Sequence, residues 1–309
     1  MIDFKNTDFQ KIDSELLAAI DQRLAVVSQM DPTERSFIYG LVRAFKPKKV
    51  LELGVYAGAA SALVLDALKD DPEARLYSVD MLYNLTKIFI NAPENKPVGH
   101  LVPEAFPELA DRWTLYPGRR CHEVLDEIGG DFDCVILDTA HTLPGELLDF
   151  LLVLPYVAEN CLFILHDVNH MILNNFSRDP SEINLSICCC RLLMNVVRAD
   201  KISPKKLQPS FFNEETVKFQ LRGLADTRLP NIGAFVVNQD TRDHLALEDV
   251  FNCLLMAWGH FISYRDMVEI SQMLRRHYPE KMAGIFEMAY NYNFYLRNAV
   301  KLRSAVQEG

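Results

Sequence analysis

Val50-Leu51-Glu52-Leu53-Gly54-Val55-Tyr56-Ala57-Gly58 is an apolar run carrying one acid and closing on two glycines, and Ala59-Ala60-Ser61-Ala62-Leu63-Val64-Leu65-Asp66-Ala67-Leu68 follows it with small and apolar residues. The first stretch predicts a buried strand and a tight turn; the second predicts a helix packed closely on a sheet. Glycine lacks a Cβ, so Gly54 and Gly58 let the chain turn sharply and let a ligand approach the backbone. The dinucleotide fingerprint Gly-x-Gly-x-x-Gly is not met, because Tyr56 stands where its second glycine would fall.

Further strands end in the same way. Ala74 to Asp80 is apolar and closes on an acid; Trp113-Thr114-Leu115-Tyr116 stops at Pro117-Gly118; Phe132 to Asp138 and Asn160 to Asp167 again close on acids. Helical stretches alternate with them, among them 145 to 155. Apolar strands alternating with helices predict an α/β fold with a doubly wound, mostly parallel sheet. Ligands of such a sheet belong at the carboxyl ends of its strands, where Gly54, Asp80, Asp138 and His166-Asp167 fall.

The spacing Glu-x-Gly-x-x-x-Gly, with Asp80 closing the next strand, resembles the first two motifs of the class I S-adenosylmethionine-dependent methyltransferases. That resemblance implies a seven-stranded sheet with an antiparallel edge, completed by 216 to 221 and by Asn231 to Val237. It implies S-adenosylmethionine as cofactor, with Glu52, Gly54, Tyr56, Gly58, Asp80, Gly118 and Asp138 around it. Asp80 would take the two ribose hydroxyls, as paired carboxylate oxygens do well. The turn at Gly118 and Arg119 would lie beside the adenine.

Asp138 and Asp167 end neighbouring strands of the expected sheet, so their carboxylates converge there. Two unpaired carboxylates repel, and a divalent cation such as Mg²⁺ relieves this with hard oxygen ligands; helix capping or backbone amides are the alternative for one of them. Asp138-Thr139-Ala140-His141 and His166-Asp167-Val168 are similar to motifs of small-molecule O-methyltransferases, a branch with macrolide-sugar, rhamnosyl and cephalosporin-type members. The likeness covers residues 35 to 170 by motif and to 238 by topology. It implies strand-end acids on Mg²⁺ (Asp138, Asp167, with His166 where some members carry a second acid) and His141 as the general base. An imidazole base of ordinary pKa suits that role only where the forming alkoxide is stabilised.

The formal net charge of −10 argues against a nucleic-acid partner and for a small-molecule or carbohydrate acceptor. The start, Met1-Ile2-Asp3-Phe4-Lys5, carries no secretory pattern, and apolar runs are too short to span a bilayer, so no membrane partner and a cytoplasmic location are expected. Seven cysteines without paired spacing read as reduced thiols, and Cys188-Cys189-Cys190 cannot present one face of a helix to a metal.

Residues 1–46 read as a helical preface, with helices over 14 to 30 and from Asp31-Pro32-Thr33-Glu34 onward. Residues 47–240 read as the cofactor-binding unit, with an insertion near 169–229 that contains a helix over 182 to 197 and a surface stretch over 198 to 215. Residues 241–309 read as a helical extension of 247 to 258, 263 to 278 and 279 to 306, whose aromatic stripe serves homodimerisation or packing ahead of substrate binding. The expected activity is O-methylation of a sugar or related natural product. A nicotinamide-dependent oxidoreductase and a non-catalytic binding or assembly protein are the alternatives.

Overall fold

A computed structural model describes residues 14–24, 30, 32–85, 95–169, 188–204 and 231–307, with side chains to 298. Seven strands form one sheet: β1 (Lys49–Leu53), β2 (Arg75–Asp80), β3 (Trp113–Pro117), β4 (Phe132–Leu137), β5 (Val157–His166), β6 (Lys201–Ile202) and β7 (Ile232–Val237). Their spatial order is β3-β2-β1-β4-β5-β7-β6. The first five are mutually parallel, while β7 runs antiparallel to β5 and to β6. The sheet is therefore mixed, with the antiparallel strand one place in from the edge.

Alternation along the central strands sends side chains to two separate cores. Leu51, Leu53, Val135, Leu137, Phe163, Leu165 and Phe235 face one side. Val50, Leu76, Cys134, Ile136, Leu162, Ile164 and Ala234 face the other. Both faces are covered, and this is why β1, β4 and β5 read as near-continuous apolar runs.

The second face is covered by helices that come before β3 in the chain. These are α1 (Ser14–Leu24), α2 (Pro32–Phe45), α3 (Ala59–Ala67) and the short α4 (Leu101–Ala105). The first face carries α5 (Cys121–Ile128), α6 (Gly145–Val153) and α7 (Cys189–Val196). A C-terminal set joins it: α8 (Gln239–His244), α9 (Leu247–Asn252), α10 (Tyr264–His277) and α11 (Glu280–Gln307). Phe251, Ile270, Leu274, Ala283 and Phe286 bury themselves in the same core as Leu147 and Leu151 of α6, so the extension is continuous with the sheet's own interior.

Local chemistry sets the ends of these helices. Gly58 caps α3 at φ 92°, a left-handed conformation that a side chain would strain. Ser263 and Asp266 form a capping box at the start of α10, the serine hydroxyl accepting from the Asp266 amide at 3.0 Å. Glu123 reaches back to the Arg120 amide at 2.7 Å to begin α5.

The stretch 81 to 112 contains α4 and a 3₁₀ turn at Pro107–Arg112, as the proline-rich sequence suggests. Two expectations are corrected. The stretch 198 to 215 is not wholly insertion, because Lys201–Ile202 forms the edge strand β6. The helix expected over 247 to 258 ends at Asn252, and a 3₁₀ turn, Cys253–Leu255, follows. The strand expected at 216–221 and parts of the helices at 25–29 and 182–187 lie outside the described residues.

Candidate active site

The strand order reverses between β1 and β4, and the crevice at that point is where an open α/β sheet holds its ligand. Gly54, at the end of β1, has φ +89°, and a Cβ added there would overlap the carbonyl oxygen of Asp138 at the end of β4. Gly58 has φ +92°, and its Cβ would lie 2.9 Å from the Cα of Gly99. The loop between these glycines is thus pressed from both sides, and only glycine fits at either end. Residues 99 to 101 hold it from outside, Gly99 donating to the Tyr56 carbonyl at 2.8 Å and Leu101 to the Ala57 carbonyl at 3.0 Å.

Asp80 organises the loop from within. Its Oδ2 accepts the amides of Val55 and Tyr56, both at 3.0 Å, and its Oδ1 accepts the amide of Leu82 at 2.8 Å. Each oxygen retains accepting capacity, so Asp80 can shape the loop and still receive a ligand hydroxyl.

Glu52 lies below the loop, fully buried, with Oε2 accepting from Ser61 at 2.7 Å and Ser78 at 2.5 Å. Its Oε1 has no hydrogen-bond partner, and burial pushes its carboxyl up to about 7. Tyr56 is left-handed at φ 52°. Gly118 sits under the ring of Tyr83, which any side chain there would displace.

A second constellation stands at the ends of β4 and β5. Ligand atoms of Asp138, His141 and Asp167 all lie within 4.8 Å of one another. His141 and Asp167 hold left-handed backbones, φ 57° and 53°, the kind of local strain that concentrates at functional sites. His141 Nε2 is 3.2 Å from Asp167 Oδ2. Its other nitrogen, Nδ1, is 3.0 Å from Glu146 Oε1. That same oxygen accepts the amides of His141 at 2.8 Å and of Thr139 at 3.1 Å, so the loop after β4 is wrapped around one buried carboxylate. Burial alone would lower His141, but the Glu146 hydrogen bond and the Asp167 charge outweigh it and lift it to about 9.

His166 is buried beneath the carboxylates and outside the group of three. Its Nδ1 is 3.1 Å from Asp138 Oδ1 and 3.6 Å from Asp167 Oδ1, and its Nε2 is 3.5 Å from Glu34 of α2. Burial opposes the charge, yet Asp138 and Asp167 raise this imidazole well above its ordinary range. Asp167 is further held by Asn231, whose side-chain amide donates to Oδ1 at 2.5 Å. His260, from the C-terminal helical set, meets the Thr142 hydroxyl at 3.2 Å through Nδ1, while the Gly259 amide donates to the Leu143 carbonyl at 2.9 Å.

Glu146, Glu34, Asn231 and His260 were not singled out from the sequence. Glu34 and Glu146 sit in the first turn of a helix, where an acid reads as a favourable dipole partner. The signal for Glu146 was its place inside an apolar run, which leaves an acid facing the interior. Asn231 and His260 carry no local signal, since each reaches the site only through the fold.

This sheet order, with a glycine turn after β1 and an acid closing β2, is the arrangement that the resemblance to class I S-adenosylmethionine-dependent methyltransferases implies. Residues 51–168 match the family model described as a methyltransferase domain. No curated protein matches the chain.

Among solved structures, the O-methyltransferase TomG from Streptomyces achromogenes, in complex with SAM, is 17% identical, with 74% of this chain and 91% of that one covered and a TM-score of 0.45. The O-methyltransferase from Bacillus cereus, in complex with SAH, is 14% identical, covering 74% and 93%, with a TM-score of 0.46. A methyltransferase from Geobacter sulfurreducens is 14% identical, covering 74% and 90%, with a TM-score of 0.41.

Proposed function

We propose that the chain is an O-methyltransferase that methylates a hydroxyl of a sugar or related small natural product with assistance from a divalent cation, Mg²⁺ being the candidate. The observation that carries this reading is the convergence of Asp138, His141 and Asp167 beside the glycine loop. Asp138 and Asp167 are a quarter exposed or less, and two carboxylates are a donor pair that fits a divalent ion. Asp138 and Asp167 would hold it, with His141 beside it rather than bound to it. When bound, such an ion offsets the paired negative charge and polarises the acceptor hydroxyl. S-adenosylmethionine supplies an electrophilic methyl group.

The chain's own residues do the rest. Asp80 and the loop from Gly54 to Gly58 position the cofactor, with Glu52 as the buried support beneath them and Tyr56, Gly118 and Asp138 along its edge. Glu146 retains the Nδ1 proton of His141 and fixes the ring, and a cation on Asp138 and Asp167, by offsetting the negative charge that raises this imidazole, would leave Nε2 unprotonated to take the proton of the acceptor hydroxyl. His166 orients Asp138 from below. Residues 1–46 act as a preface, 47–240 as the cofactor-binding unit and 241–309 as an extension that reaches the site through His260.

The test is methyl transfer from labelled S-adenosylmethionine to a panel of sugars, phenols and polyketide-like alcohols, with chelator-treated chain and with Mg²⁺ restored. Label on acceptor oxygen that depends on Mg²⁺ is expected. Transfer only to nitrogen or carbon, or transfer indifferent to chelation, refutes the corresponding part of the proposal.

A further inference from the structure

His122 of α5 faces Asp266 and Glu269 of α10. The His122 side chain is 3% exposed, and its Nε2 has no hydrogen-bond partner. That nitrogen lies 3.7 Å from Asp266 Oδ1 and 3.5 Å from Glu269 Oε2. The three ligand atoms lie within 4.8 Å of one another. These separations are too long for a charged hydrogen bond, which closes to roughly 2.7–2.9 Å. They suit a different arrangement: two ligands about 2.0–2.2 Å from one ion at tetrahedral angles stand roughly 3.3–3.6 Å apart.

The oxygens that face away from His122 are already occupied. Asp266 Oδ2 accepts from the Ser263 hydroxyl at 2.8 Å and its amide at 3.2 Å, and it lies 3.5 Å from Arg120 Nε. Glu269 Oε1 accepts from Arg265 Nε at 2.8 Å. Each carboxylate is therefore anchored through one oxygen while the other is turned toward the buried imidazole. Outer partners that orient a ligand in this way are the usual companions of a metal site. Asp266 and Glu269 are three positions apart on α10, so both lie on one face of the helix.

We propose that His122, Asp266 and Glu269 form a second cation site, for a transition-metal ion of the Zn²⁺ class, with water completing the coordination. One nitrogen and two carboxylate oxygens suit Zn²⁺ better than Mg²⁺, which demands more oxygen ligands. The site joins α5, which follows the β3 turn at Gly118, to the first two turns of α10. An ion there clamps the C-terminal extension to the cofactor-binding unit and shares no ligand with the group of Asp138, His141 and Asp167.

Zn²⁺ alone, and Co²⁺ as its visible substitute, are titrated into chelator-treated full-length chain carrying Asp167→Asn, which removes a ligand from the strand-end cluster. Asparagine tolerates the left-handed backbone at that position. Calorimetry should give one tight equivalent, Co²⁺ should show the absorption of a low-coordinate ion, and Zn²⁺ should raise the melting temperature. Adding His122→Gln should weaken binding at least tenfold and abolish the rise. Glu269→Gln, on the rim, should do the same without altering the circular dichroism of the metal-free chain, and it decides the matter if His122→Gln folds poorly. No Zn²⁺ binding by the Asp167→Asn chain, or equal affinity with and without Glu269→Gln, overturns the proposal. Neither result bears on methyl transfer.

Discussion

One oxygen of Glu146, Oε1, lies 2.8 Å from the backbone nitrogen of His141 and 3.0 Å from its ring Nδ1. A single buried carboxylate therefore fixes both where the histidine sits in the chain and which of its nitrogens is left for a substrate. Glu146→Gln keeps the shape and removes the charge. Single-turnover methyl transfer should fall about 10²-fold, at the lower end of what a general acid or base contributes, while the dissociation constant for S-adenosylmethionine stays within about threefold. Equal losses in both would mean that Glu146 merely holds the loop.

For His141 itself, replacement by glutamine should lower the chemical rate by roughly 10² to 10⁴ with cofactor affinity nearly intact. Rapid-quench measurement with the cofactor in excess isolates that step. A rate within a few-fold of the parent chain would take His141 out of the proton transfer.

Asp80 serves the loop and the ligand together, so its substitutions should separate by how much of the loop they spare. Asp80→Asn keeps one carbonyl oxygen for the loop amides and should weaken S-adenosylmethionine binding by about tenfold, or ~1.4 kcal/mol. Asp80→Ala strips the amides of Val55, Tyr56 and Leu82 of their acceptor and should cost at least about 1.5 to 3 kcal/mol. Calorimetric titration of the two variants checks the order.

The burial of Glu52 makes a pH prediction. Its carboxyl is raised from 4.5 to about 7 by burial, the Ser61 and Ser78 hydroxyls opposing only part of the shift. The folded chain thus binds the proton more tightly than the unfolded one. Stability is fully present below the unfolded value and is lost as pH climbs toward the folded value. Glu52→Gln cannot ionise and escapes this loss. Between pH 4.5 and 8 the difference in unfolding free energy should move in the variant's favour by on the order of 3 kcal/mol. Urea melts at several pH values measure it, and a difference independent of pH would contradict the assignment.

Gly54→Ala places a methyl group against the Asp138 carbonyl at a backbone angle hostile to side chains. Both faults act at once, and a loss of about 4 kcal/mol or more is expected in denaturant unfolding. An alanine variant of parental stability would mean that β1 and β4 part easily at their ends.

The parts of this architecture legible in the sequence were those written locally. β1, β2, β4 and β5 each announce themselves as apolar residues closing on an acid or glycine, because a strand buried on both faces tolerates little else. Neighbouring strand ends then bring Asp138 toward Asp167 with no further information. β6 was missed because two residues, Lys201 and Ile202, have no periodicity to read. The left-handed backbones of His141 and Asp167, and the meeting of His122 with Asp266 across 144 positions (266 − 122), arise only when helices dock. Nothing near those residues in the chain encodes them.

The distribution of thiols has a practical consequence. Six of the seven cysteines, in α5, β4, β5 and at the start of α7, are buried, and burial raises each above the ordinary thiol range; only Cys253 is partly accessible. The native chain is thus a nearly closed vessel to alkylating reagents, with one slow tap. Adduct counting by mass spectrometry converts this into a clock: the first label times Cys253, and every later one times an opening of the interior, sorted by the strand or helix that carries it.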